Sequence, residues 1–191
     1  MFRFRLKTLA VLTGLVALVG GVLAPASGSA VEAYCNQAWG STPEGRATSA
    51  TGQVLTDVRT GRHGCFDRLV IDLGGPAAGA SYDVRYVSAV YSAGSGARVP
   101  LSGGAFLQVV VRAPAYDEDG NATYVPANRN RVVDVSGYRT FRQVSWAGSF
   151  EGRTSLGVGV RARLPFRTFT LLGTPGSDDA ARLVIDVGHA W

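Results

Sequence analysis

RTGRHGCFDRLVIDLGG, residues 59–75, is the stretch that decides the fold. Its centre, RLVID at 68–72, returns letter for letter at 182–186. In the first copy Leu69, Ile71 and Leu73 fall on one face of an extended chain, and Arg68, Val70 and Asp72 on the other. In the second, Leu183, Ile185 and Val187 oppose Arg182, Val184 and Asp186 in the same way. Two strands of one chemical design near the two ends of a domain imply either neighbours in one sheet or a folded-over internal symmetry.

Residues 1–30 have the layout of a secretory signal peptide. Arg3, Arg5 and Lys7 precede an apolar run at 9–23 and small residues at 24–30. Cleavage fits after Ala26 or Ala30, with Gly-Ser-Ala at 28–30 favoured. An uncleaved anchor is the alternative, but a span needs about 20 apolar residues, and Gly14, Gly20 and Gly21 dilute this run. No stable membrane span is therefore expected after cleavage. Lipid attachment at Cys35 is not expected either, because Val-Glu-Ala-Tyr precedes it in place of a small-residue run.

Removing residues 1–30 leaves 16 basic residues, all arginine, against 14 acidic ones, a net charge of +2. A nucleic-acid partner would call for a concentrated basic face in a strongly basic domain, so none is expected. The 161 residues at 31–191 suffice for one domain burying about two-thirds of its chain surface. Cys35 and Cys65, the only cysteines, read as a disulfide in an exported chain. Such a bridge is worth about 3–4 kcal/mol in the chain-entropy model. The alternative is a nucleophilic thiol with His63, two residues from Cys65, as its base.

The expected organisation is a signal peptide at 1–30, an irregular lead-in segment at 31–53 tied by the disulfide, and an all-β domain at 54–191. Alternation predicts strands at 54–59, 66–73, 82–91, 105–112, 129–135, 138–147, 153–164, 166–172 and 183–187. Turns fall at Gly61 to Gly64 and at the Gly74-Gly75-Pro76 stop. No long segment carries a 3.6-residue apolar stripe. Short strands punctuated by Gly and Pro argue for a two-sheet β-sandwich or a barrel, with little or no helix.

The stretch Asp117-Glu118-Asp119-Gly120-Asn121 has the composition of a calcium loop. The ligating Glu does not arrive at the required distance, so a solvated hairpin tip is expected, and no metal or cofactor.

The segments RTGRHGCFDRLVIDLGG (59–75), the strand at 82–87, LSGGAFLQVVV (101–111), GSFEGRTSLGVGVRARLPFR (148–167) and RLVIDVGH (182–189), in that order, resemble the AMIN-like domain family. These are secreted bacterial domains related in pattern to the AMIN modules attached to cell-wall amidases. The resemblance runs from Arg59 to Trp191 and implies a sandwich of two sheets. It also implies a targeting role, in which the domain binds peptidoglycan or positions a partner enzyme at the wall. The 191 residues carry this module without an amidase or secretin domain.

Three classes of function follow. A wall hydrolase would need a reactive constellation, yet no His-Glu-x-x-His, nucleophile elbow or phosphate loop occurs. If the RLVID strands are adjacent, Asp72 and Asp186 could gather with His63 and His189 at one end of the sheet. The opposing expectation pairs each aspartate with Arg68, Arg182 or a neighbouring arginine, leaving His63 in a turn and His189 at the surface. A binding module is the favoured class. Arg153, Arg161 and Arg163 fall on one face of the strand expected at 153–164, and Gly157 and Gly159 leave that face flat. Guanidinium groups on such a face can grip carboxylates of glycan or peptide bidentately, with aromatic side chains nearby for sugar stacking. The competing reading covers a solvated, acid-paired sheet face, with Trp39 and Trp146 in the core or against the disulfide. A protein-interaction module or inhibitor working through a sheet edge is the third class. The expectation is an exported, non-catalytic, cell-wall-associated binding module.

Overall fold

The structure is a computed structural model, and it describes Cys35, residues 38–177 and residues 179–191. The signal peptide expected at 1–30 lies outside the described residues. No helix occurs among them. The strands are β1 (Glu44–Arg46), β2 (Val54–Arg62), β3 (Phe66–Gly74), β4 (Tyr82–Val87), β5 (Val90–Tyr91), β6 (Arg98–Val99), β7 (Ala105–Val111), β8 (Phe141–Phe150), β9 (Arg153–Val160), β10 (Phe166–Leu171) and β11 (Ala181–Gly188). They form a five-stranded sheet, β1-β4-β7-β9-β8, a four-stranded sheet, β10-β11-β3-β2, and the small pair β5-β6. Each pairing is antiparallel.

The two larger sheets face each other as a sandwich. Leu55, Leu69, Ile71, Leu73, Phe166, Leu183 and Ile185 come from one inner face. Val84, Leu107, Val109, Leu156, Val158 and Val160 come from the other, and all are within 1% of full burial. Every such side chain is worth about 1.5–3 kcal/mol of transfer free energy, so the alternating pattern alone supplies the drive to close the sandwich. Trp146 belongs to this core, packed on Tyr124 at 5.7 Å. Trp39 is only half-buried and lies beside Phe66.

The RLVID strands are neighbours. β11 runs antiparallel to β3 with Val184 opposite Val70, which sets Arg68 opposite Asp186 and Asp72 opposite Arg182. Reversing an Arg-x-x-x-Asp strand on itself always puts cation against anion at both ends, so the repeat is self-complementary.

Four expectations are corrected. The lead-in segment is not wholly irregular, since β1 lies within it and pairs with β4. Tyr82 to Tyr91 is two strands in different sheets. Residues 129–135 form no strand: Asn128 Oδ1 takes the N–H of Asn130, and Asp134 Oδ1 takes that of Ser136, so local turns win the backbone. This loop instead covers the edge of β8, through Val132 N–H to Val144 O at 2.9 Å and Trp146 N–H to Arg129 O at 2.7 Å. Finally, β9 stops at Val160 rather than 164, because Arg161 N–H turns away to Thr140 O and Pro165 has no N–H to give.

The disulfide is formed. Cys35 and Cys65 are joined with Cα atoms 5.2 Å apart, and neither thiol is free. It ties the lead-in segment to the start of β3.

Candidate functional site

The early end of β9 separates the three arginines expected on one face. Arg153 opens β9 beside the β8–β9 turn, whereas Arg161 and Arg163 follow its end. From Arg153 to Val160 the strand covers seven residue steps, roughly 24 Å of extended chain. Arg161 donates to the carbonyl of His189. Arg163 donates to Ser41 O at 2.8 Å and lies 5.0 Å from the Tyr86 ring centre. The face between them is not open. A Cβ on Gly157 would come within 2.8 Å of Leu101 Cδ1, and one on Gly159 would collide with the backbone carbonyl of Ser102. These glycines mark close approach of the 101–104 segment, which leaves β9 buried on both sides.

An arginine-bearing sheet face does exist, on the other sheet. The outer side of β10-β11-β3-β2 is laid out in cross-strand rows. One reads Arg167, Asp186, Arg68, Gly61 and the next Phe169, Val184, Val70, Arg59. A third reads Leu171, Arg182, Asp72, Asp57. Asp186, with no solvent exposure, accepts two bonds from Arg68 at 2.6 and 2.9 Å and one from Arg167 at 2.9 Å. Asp72 takes Arg59 bidentately at 2.5 and 2.9 Å, and Arg182 turns to Asp179. These four guanidinium groups pair with three carboxylates and Asp57 adds a fourth beside Arg59, so the charges balance over the face while the Arg68–Asp186–Arg167 triad holds one positive charge in excess. The hydrogen bonds to Asp72 and Asp186 raise the pKa values of Arg59 and Arg68 above the ordinary arginine value.

Aromatic rings frame the triad. The Arg167 guanidinium carbon is 4.5 Å from the Trp39 ring centre, 5.2 Å from Phe169 and 5.8 Å from Phe66. Arg68 lies 5.2 Å from Phe66. His63 stacks on Phe66 at 4.4 Å, so it is a turn residue on this surface and no base for a thiol. Trp39 lies between two anchor points on this face, the Cys35–Cys65 disulfide and the Gly40–Phe166 bridge. Beside the triad, Arg59, His63, Arg68, Leu171 and Arg182 line a shallow cleft of about 270 Å³.

The proposed gathering of two aspartates and two histidines does not form. Antiparallel pairing sends Asp72 and Asp186 to opposite ends of the strand pair. His189 is not at the surface but 8% exposed, with Nε2 3.0 Å from Asp67 Oδ1 and Nδ1 3.2 Å from Gly64 O. Both ring nitrogens face acceptor oxygens, so the ring is held between the Gly64 turn and the Asp67 side chain. Asp67 Oδ2 accepts the N–H groups of Thr140 and Phe141 at 2.6 and 3.0 Å and so fixes the start of β8. Sequence reasoning passed over Asp67, though one signal was there: it shares parity with Leu69, Ile71 and Leu73, a charge in a core-facing register.

The 117–121 stretch is a turn closed by the Tyr116–Ala122 bridge. Asp117 Oδ1 accepts from the N–H groups of Asp119 and Asn121 at 3.0 and 2.7 Å, and Oδ2 from the Asn121 amide at 3.1 Å. The bond from the Asn121 side chain, with those from the backbone, holds the Asp117 pKa below the usual carboxylate value. Its lone pairs are committed to the turn. Among the described residues no group of three or more His, Cys, Asp or Glu is placed to hold a metal ion.

No curated protein and no solved structure matches this chain. Residues 53–189 match the model of the AMIN-like domain, a span that takes in every strand of the sandwich but β1. With both RLVID strands, the 101–111 segment and β9 inside that match, the chain belongs to the AMIN-like domain family.

Proposed function

We propose that this domain is an extracytoplasmic, non-catalytic module that binds the cell envelope through the outer face of β10-β11-β3-β2. Membership of the AMIN-like family supports a wall-related role, and the disulfide supports an oxidising compartment. One observation carries the choice of face: the Arg68–Asp186–Arg167 triad, one charge in excess, framed by Trp39, Phe66 and Phe169. Arginine forks suit the carboxylates of peptidoglycan, and the half-buried rings offer a stacking surface for its sugars. The ligand is accordingly a wall glycan or the peptide attached to it.

The test is co-sedimentation of residues 31–191 with purified peptidoglycan, with mass spectrometry of the supernatant. Retention without released fragments is expected, weakened by Arg167→Ala and by Trp39→Ala. Arg153→Ala and Arg161→Ala are the comparison variants, since the sequence alone pointed to them. If these abolish retention and Arg167→Ala does not, the face is wrong. Soluble muropeptides in the supernatant would mean a hydrolase. Neither retention nor fragments would shift the assignment to a protein partner.

A further inference from the structure

A second site lies away from the arginine face, at the end of the sandwich where the start of β2 meets the β8–β9 turn. There a cleft of about 370 Å³ is lined by Gln53, Arg112, Tyr116, Glu118, Glu151 and Arg153, among others. Gln53 sits two residues before core-facing Leu55 and is 2% exposed. Neither its Oε1 nor its Nε2 has a hydrogen-bond partner in the protein, although both atoms are shielded from bulk solvent. A buried amide with both ends unmet is rare in a folded domain and needs a physical reason. Opposite it, Glu151 holds φ at 48°, the one non-glycine residue with positive φ among those described. A side chain in that region stores strain of about 1–2 kcal/mol per residue. Its neighbour Gly152 donates its N–H to Tyr116 Oη at 3.1 Å, which fixes the wall of the cleft.

We infer that this cleft is a binding site for a short extended peptide, held by Gln53 once its shielded amide turns into the cleft. A carboxylate could meet only the Nε2 donor of Gln53, and an ammonium only the Oε1 acceptor. One residue of an extended chain presents its own N–H and C=O on the same edge, as it does towards a partner strand. That edge matches both ends of a Gln amide at once. The trans acetamido group of an N-acetylated sugar directs its N–H and C=O to opposite sides, so it meets one end and leaves the other. The rim carries both signs of charge, Arg112 and Arg153 against Glu118 and Glu151, which suits a peptide with free termini. This inference does not rest on the wall-binding reading, because no lining residue belongs to the arginine face.

The experiment is a titration of residues 31–191 with tri-alanine, followed in ¹H–¹⁵N spectra through the Gln53 side-chain NH₂ signals. Parallel titrations use N-acetylglucosamine. Tri-alanine is expected to shift the Gln53 signals, and Gln53→Met is expected to weaken binding about tenfold without lowering Tm. Arg153→Ala, an exposed position, is expected to weaken it severalfold. It carries the test if the Gln53 variant does not fold. No shift with the peptide, or equal affinity for N-acetylglucosamine, would overturn the inference. So would unchanged peptide binding in both variants.

Discussion

Asp186 shows how much one buried carboxylate can organise. It has no solvent exposure and holds Arg68 and Arg167, which are 26% and 42% exposed. Removing one cation leaves a buried charge half-compensated, which costs more than the loss of a surface pair. Arg68→Met is therefore expected to lower stability by about 2 kcal/mol, read by urea unfolding, while Arg85→Met, whose pair with Asp83 is exposed, changes little. Tyr86 makes the corresponding argument for pH. Its hydroxyl donates to Leu164 O at 2.8 Å and accepts from Leu164 N–H at 3.0 Å. Burial pushes the phenol up, against the downward pull of the Leu164 bond and the Arg163 charge. The folded state thus favours the neutral phenol. Its stabilisation is complete below the ordinary tyrosine value, about pH 10, and is lost as pH rises through the higher folded value. Tyr86→Phe is expected to cost about 1–2 kcal/mol at neutral pH and to flatten the alkaline decline of Tm. Some decline persists, because burial raises the Tyr124 pKa as well.

At the scale of strands, β9 carries the sharpest test. The Ser102 carbonyl occupies the space a side chain on Gly159 would need. Gly159→Ala must push the 101–104 segment away, and with it the bond from Gly104 N–H to Val160 O. A loss of about 1–3 kcal/mol is expected, measured by thermal unfolding. The same contact explains what could be read from sequence. Alternation located β2, β3, β7, β8, β10 and β11 because each sends every second side chain into the core, and the RLVID repeat announced its own pairing through complementary ends. A glycine on a solvated face and a glycine beneath a crossing backbone look identical in the pattern of their own strand. Flanked by arginines, Gly157 and Gly159 read as an open platform, although Leu101 and Ser102 lie across them. The true arginine face escaped for a related reason: Arg59, Arg68, Arg167 and Arg182 come from four strands, and only the sheet order β10-β11-β3-β2 makes them neighbours. Gln53 gave no signal at all, since a single glutamine before a strand is unremarkable until its burial is known.

For the whole molecule, the question is whether the proposed envelope retention would come from overall charge or from one surface. Without residues 1–30 the net charge is only +2, with 16 arginines nearly balanced by 14 acids. A field that weak steers little, so attraction has to come from local excess, and the Arg68–Asp186–Arg167 triad provides one. Arg98 offers the matched control: it is exposed on β6, in the small β5-β6 pair, and its removal changes net charge as much as removal of Arg167. Arg98→Ala is expected to leave peptidoglycan co-sedimentation close to wild type, and Arg167→Ala to reduce it severalfold. Raising salt from 0.1 M to 1 M shrinks the screening length from about 10 Å to about 3 Å, which removes attraction at a distance but spares contact. Wild-type retention should fall over that range to a residue that Trp39→Ala abolishes, because stacking on the ring does not depend on screening. Equal losses in Arg98→Ala and Arg167→Ala would show that net charge governs retention and that the face does not. A Trp39→Ala variant unchanged at high salt would remove the aromatic half of the argument and leave the arginines to act alone.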